Sequence, residues 1–120
     1  MITTKELPSE HIEQVLFIQW AYRKELPVFA IPNGGLRNKI VAGRLKLEGT
    51  RSGIPDLFLP VAIKPYHGLF IEMKRQKGGS LSPNQKDWIK KLIEQGYKVI
   101  VGKGASSAIA QTAEYLSIKI

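Results

Sequence analysis

Two short apolar runs, each ending near an acid, constrain this chain more than any other feature. They are Asp56-Leu57-Phe58-Leu59 and Leu69-Phe70-Ile71-Glu72-Met73-Lys74, with Pro60, Pro65, Tyr66, His67 and Gly68 between them. Runs this short and apolar predict strands covered on two sides. The connection suits an antiparallel hairpin. Side chains alternate faces along a strand, so Glu72 and Lys74 project together while Ile71 and Met73 project the other way. A hairpin centred near Lys64 brings Asp56 alongside Glu72. Two carboxylates and one ammonium then converge on one spot.

The remaining segments supply what packs around this hairpin. Ser9 caps a helix from about Glu10 to Lys24. Ile12, Val15, Leu16 and Trp20 fall at helical spacing, Phe17, Ile18 and Ala21 widen the apolar face, and Pro27 ends the helix. Val28 to Ile31 reads as a strand stopped by Pro32-Asn33-Gly34-Gly35, where the chain turns sharply. Arg37 to Leu47 reads as a basic helix whose narrow apolar face is Ile40, Val41 and Leu45, closed by Glu48-Gly49.

Ser82-Pro83-Asn84-Gln85 starts a further helix, with Ser82 as cap, Pro83 at the first helical position and Gln85 completing a capping box. Its expected buried stripe is Trp88, Ile89, Leu92 and Ile93, and Gly96 stands at its C-terminal cap. Lys98 to Val101 reads as a strand, and Ser106 or Ser107 starts a last helix through Tyr115 or Leu116. The order α-β-α-β-β-α-β-α predicts one mixed α/β domain over residues 1–120.

Composition narrows the function. A chain of 120 residues buries enough surface for one core without staples. With no cysteine, disulfides and thiolate zinc sites are excluded. No apolar run approaches the roughly 20 residues that span a bilayer, and the N-terminus lacks the apolar segment of a secretory signal. The expectation is a soluble, cytoplasmic protein with no membrane partner. Eighteen Lys and Arg against ten Asp and Glu give a formal charge of +8, a field that attracts polyanions.

A pair of carboxylates beside a lysine suits metal-assisted phosphodiester cleavage. The carboxylates are hard oxygen ligands for Mg²⁺ or Mn²⁺. A metal there polarises a phosphate and lowers the pKa of water, and the lysine orients that water or stabilises developing charge. Two bare carboxylates at close range repel, and a cation resolves the conflict. The bland alternative is a strand-edge salt bridge. Glu-Met-Lys alone is weak, and Pro55-Asp56 placed 16 positions before Glu72 strengthens it.

Pro55-Asp56 followed by Glu72-x-Lys74 resembles the PD-(D/E)xK nuclease superfamily. The wider string resembles its VRR-NUC branch, the virus-type replication and repair nuclease domain. That string is Glu13-Gln14, Ile31-Pro32-Asn33-Gly34-Gly35, Gly53-Ile54-Pro55-Asp56-Leu57, Phe70-Ile71-Glu72-Met73-Lys74, and Ser82-Pro83-x-Gln85 with Trp88. It covers about Glu10 to Leu116. The resemblance implies a restriction-endonuclease-like αβββαβ core with an inserted helix, its mixed central sheet flanked by helices.

It further implies divalent metal on Asp56, Glu72 and the Met73 backbone carbonyl, with Lys74 as catalytic lysine and Glu13 as helix carboxylate. Glu10, one turn earlier, can face the same way. Gln85 matches the family glutamine, reaching the lysine or a phosphate, or else only completing the capping box. Gly53 permits a tight turn into the Asp56 strand or is an ordinary loop glycine.

Arg37, Lys39, Arg44, Lys46 and Arg51, with Arg75 and Lys77 beyond the lysine, either track a DNA backbone or form a solvated face. Gly78 and Gly79 suggest a flap. His11 and His67 read as surface or packing residues, and Trp20 and Trp88 as core. No nucleotide-hydrolase phosphate loop is present.

Family members occur fused to repair and helicase modules and alone in phages, and this chain is similar to the stand-alone form. The expected activity is a metal-dependent DNA endonuclease acting as a homodimer on branched DNA such as Holliday junctions, in a bacterial cytoplasm if phage-encoded. A non-catalytic nucleic-acid-binding module and a sequence-specific homing or restriction-type nuclease are the rivals.

Overall fold

The structure is a computed structural model describing residues 6–32 and 38–120. Eight elements follow the expected order: α1 (Glu10–Arg23), β1 (Phe29–Ala30), α2 (Lys39–Leu47), β2 (Leu57–Leu59), β3 (Leu69–Lys74), α3 (Pro83–Glu94), β4 (Lys98–Lys103) and α4 (Ala105–Leu116). The Asn33-Gly34-Gly35 turn and Arg37 lie outside the described residues.

The four strands form one mixed sheet in the order β1-β2-β3-β4. β1 and β2 are antiparallel, as are β2 and β3, whereas β3 and β4 run parallel. A parallel neighbour needs a crossover, and α3 is that crossover. Leu57 faces Ile71, Phe58 faces Phe70 and Leu59 faces Leu69. Continuing this register one step places Asp56 opposite Glu72, as the hairpin requires.

The two-residue period sorts the sheet into unlike faces. Leu57, Leu59, Leu69, Ile71 and Met73 are fully buried on one face, against Phe17, Trp20 and Ala21 of α1 and Ala105, Ala108 and Ala113 of α4. Each large side chain buried there contributes about 1.5–3 kcal/mol. α4 can lie this close because β4 carries Gly102, where an added Cβ would stand 2.6 Å from the Ala108 Cβ. The other face presents Phe58, Phe70 and Tyr97, with ring centres 4.4 Å apart for the first two and 5.2 Å for the last two. At the strand ends it presents Asp56, Glu72 and Lys74.

Three expectations about helix faces need correction. On α1 the buried residues are Glu13, Phe17, Trp20 and Ala21, while Ile12, Val15 and Leu16 are exposed. The helix is apolar on nearly every side, so spacing alone does not choose its inner face. On α3 none of the residues is fully buried and Ile93 is 55% exposed. On α2 nothing is fully buried either, and Ile40 points outward. The last helix starts at Ala105, one residue before expected, behind Gly104 as N-cap. Among the described residues no helix is long and apolar enough to cross a membrane.

Candidate metal and nuclease site

Asp56 enters the site from a tight turn. Gly53 has φ +89°, and an added Cβ would meet the Asn84 side chain at 2.9 Å and its backbone at 3.0 Å. The Asn84 amide nitrogen donates to the Ser52 carbonyl and hydroxyl, both at 2.8 Å. Glycine is therefore required for both conformation and space. Pro55 follows fully buried, and the Asp56 carbonyl accepts the Ile31 N–H at 2.8 Å. Across the hairpin, Asp56 Oδ2 accepts the Met73 N–H at 2.7 Å.

Glu72 and Lys74 share the opposite strand's outer face, 1% and 8% exposed. The Lys74 ammonium lies 3.7 Å from Glu72 Oε2 and donates to Gln85 Oε1 at 3.1 Å. Gln85 Nε2 lies 3.3 Å from Glu72 Oε2. The same glutamine accepts the Ser82 N–H at 2.9 Å, and Ser82 Oγ accepts the Gln85 N–H at 3.1 Å. Both readings of Gln85 therefore hold at once: the capping box that starts α3 also aims an amide at Glu72 and Lys74.

The helix carboxylate beside these groups is Glu10, not Glu13. One oxygen each from Glu10, Asp56 and Glu72 lie within 4.8 Å of one another. Glu13 turns toward α4 and is 2% exposed. Its Oε1 accepts the Ala105 N–H at 3.1 Å, and its Oε2 accepts the Gln76 amide at 2.8 Å. Gly104 offers no side chain to cap α4, so an acid borrowed from α1 satisfies an N-terminal donor and complements the helix dipole. Acidity and spacing are the same at positions 10 and 13, so only the need of α4 for a cap separates them.

The acids strain one another electrostatically. Burial, then the Asp56 charge and a hydrogen bond to it, push the Glu72 carboxyl up to about 8, against a lowering by Lys74. Burial and Asp56 also raise Glu10, with Lys74 and Arg75 lowering it. Three hard oxygen donors that repel when ionised, beside one ammonium, could hold a divalent cation.

The basic residues lie on several elements. Arg75, whose charge acts on Glu10, and Lys77 are exposed just beyond β3, and Lys39, Arg44 and Lys46 are exposed on α2. Arg51 is exposed at the start of the turn, with its guanidinium carbon 5.5 Å from the centre of the Trp88 ring. Trp88 is thus not the core residue its position suggested. Trp20 is core. His67 packs on Tyr97, ring centres 5.8 Å apart, and His11 is exposed.

A hairpin carrying acids and a lysine, a crossover helix, and a parallel fourth strand define a mixed α/β fold with an acidic cluster at its strand ends. A family model for the VRR-NUC domain matches residues 5–106. The chain belongs to the VRR-NUC family. A solved structure described as a VRR_NUC domain protein is similar at 27% identity and TM-score 0.80, with 94% of this chain and 92% of that one covered. No curated protein sequence matches.

Proposed function

We propose that the protein is a divalent-metal-dependent DNA endonuclease, hydrolysing phosphodiester bonds in branched DNA such as Holliday junctions. The observation that carries this reading is the meeting of Glu10, Asp56 and Glu72 oxygens within 4.8 Å, with the Lys74 ammonium 3.7 Å from Glu72. Glu10, Asp56 and Glu72 would hold Mg²⁺ or Mn²⁺, with the Met73 carbonyl as a further ligand. The cation would polarise the scissile phosphate and make hydroxide available near neutral pH.

The chain's own groups do the rest. Lys74, fixed by Gln85 Oε1, presents a positive charge to the non-bridging phosphate oxygens, where negative charge grows in the transition state. Gln85 keeps that ammonium from closing on Glu72. Lys39, Arg44, Lys46, Arg51, Arg75 and Lys77 contact DNA phosphates on either side and fix register without reading sequence. Arg37 joins them by sequence. Cutting both strands of a symmetric junction calls for two related sites, which a twofold homodimer supplies. The exposed Ile12, Val15 and Leu16, on the same helix as Glu10, support such pairing.

The test is cleavage in Mn²⁺ of linear, flapped and four-way substrates by the native protein and Glu72→Ala, with mass measured by light scattering. Four-way cutting is expected to dominate. The variant is expected to lose on the order of 10²- to 10³-fold in rate while binding DNA normally in calcium. Undiminished cleavage by the variant would remove the site assignment. Binding without any cleavage would favour a non-catalytic module, and cutting of linear duplex at one sequence would favour a restriction-type enzyme.

A further inference from the structure

Trp88 stands in a groove of about 340 Å³ between α2 and α3, walled by Leu45 and Lys46 on one side and by Asn84 and Lys91 on the other, with Arg51 and Ser52 also lining it. The Arg51 guanidinium carbon and the Lys91 ammonium lie 5.5 Å and 5.0 Å from the centre of its ring. Lys91 is already paired with Asp87, which also lines the groove, at 3.0 Å. Lys46 and Arg51 make no ion pair within 4.0 Å among the described residues. The groove therefore combines a half-buried indole, with the Arg51 guanidinium and the Lys91 ammonium over its ring, and two cations, Lys46 and Arg51, that make no ion pair among the described residues.

That combination is how proteins hold single-stranded nucleic acid: a base stacks on an aromatic ring while cations take the backbone. A base inside a duplex is stacked on its neighbours and cannot reach such a ring. The groove is also tied to the acidic centre through the chain. Asn84, which grips Ser52, is followed by Gln85, the residue that holds Lys74. Ser52 precedes Asp56 by one short turn.

We propose that this groove receives one unpaired nucleotide of DNA, its base against Trp88 and its phosphate against Lys46 and Arg51. It would give the enzyme a means of preferring branch points, where unpaired nucleotides are available, over uninterrupted duplex. The proposal builds on the nuclease reading, but its test requires no cleavage.

The full chain in EDTA is titrated with a short oligothymidylate and with a duplex of equal length, following tryptophan emission. The chain has two tryptophans and Trp20 is buried in the core, so a change reports Trp88. The single strand is expected to quench the emission and the duplex to leave most of it. In the variants the reporting indole is gone, so binding is followed by the anisotropy of a fluorescently labelled oligothymidylate: Trp88→Leu should weaken single-strand binding about tenfold, with Trp88→Phe recovering much of the loss because a ring remains.

Equal quenching by both DNAs would overturn the proposal, as would Trp88→Leu binding the single strand as tightly as the native protein. Should the leucine variant fail to fold, the native titration and the phenylalanine variant decide alone. Selective quenching by a protein inert toward all DNA would sink the nuclease reading and leave the groove standing.

Discussion

Asp56 Oδ2 accepts the backbone N–H of Met73 at 2.7 Å, so the acid at the head of one strand is fixed to the backbone between Glu72 and Lys74 on the next. The bond is charge-assisted, and it ties the register of the hairpin to the geometry of the acidic cluster.

The two acids of α1 are expected to fail in different ways. Glu13→Ala leaves the Ala105 N–H and the Gln76 amide without their acceptor, costing about 1–3 kcal/mol of stability. Glu10→Ala is expected to leave the unfolding midpoint within about 0.5 kcal/mol, since an exposed side chain is lost, and to weaken metal binding and cleavage. Urea unfolding of both variants beside metal titration checks the pair. Equal destabilisation by both substitutions would contradict it.

Stability and metal binding should depend on pH in opposite senses. The folded-state pKa of Glu72, about 8, lies above its ordinary value of 4.5, so folding favours the protonated form. Without metal, that contribution is complete below about pH 4.5 and is lost as pH rises toward 8. The melting temperature in EDTA should fall across this window, and Glu72→Gln should flatten the fall. Divalent metal needs ionised carboxylates, so the rise in melting temperature that Mg²⁺ or Mn²⁺ gives should grow over the same range. Melting curves with and without metal test both slopes.

Gln85→Glu separates the two tasks of one side chain. Glutamate still completes the capping box, so α3 should lose less than about 0.5 kcal/mol. It also places a charge where the neutral amide now lies 3.3 Å from Glu72 Oε2 and draws Lys74 toward itself. We expect kcat to fall at least tenfold with the melting temperature nearly unchanged.

Gly102→Val should be costly on the face of the sheet opposite the acids, where Gly102 pairs with Met73. Even a Cβ there would stand 2.6 Å from the Ala108 Cβ and 2.9 Å from its Cα, so α4 must move off the sheet, at about 1–3 kcal/mol or more. Chemical denaturation measures it. A value near zero would mean that α4 does not sit on β4 as described.

What was legible in the sequence depended on local rules. The hairpin register followed from two short runs and the spacing between them, and the capping box at Ser82 and Gln85 followed from adjacent residues. Less legible were features decided by what packs where. The spacing of Trp88, Ile89, Leu92 and Ile93 marks an amphipathic helix, but α3 crosses a face already lined by Phe58 and Phe70 and buries that stripe only in part. The preference for Glu13 over Glu10 rests on its place before Gln14, and no local rule shows that Gly104 leaves α4 without a side-chain cap that Glu13 supplies.

That borrowed cap also has a bearing on how mutants of this protein will be interpreted. One turn of α1 carries an acid facing the cluster and an acid bolting the helix to α4, so damage at the bolt will displace the acid above it. An inactive Glu13 variant would look like the loss of a ligand when the part that broke was a hinge pin, and only a folding measurement made alongside would tell the two apart.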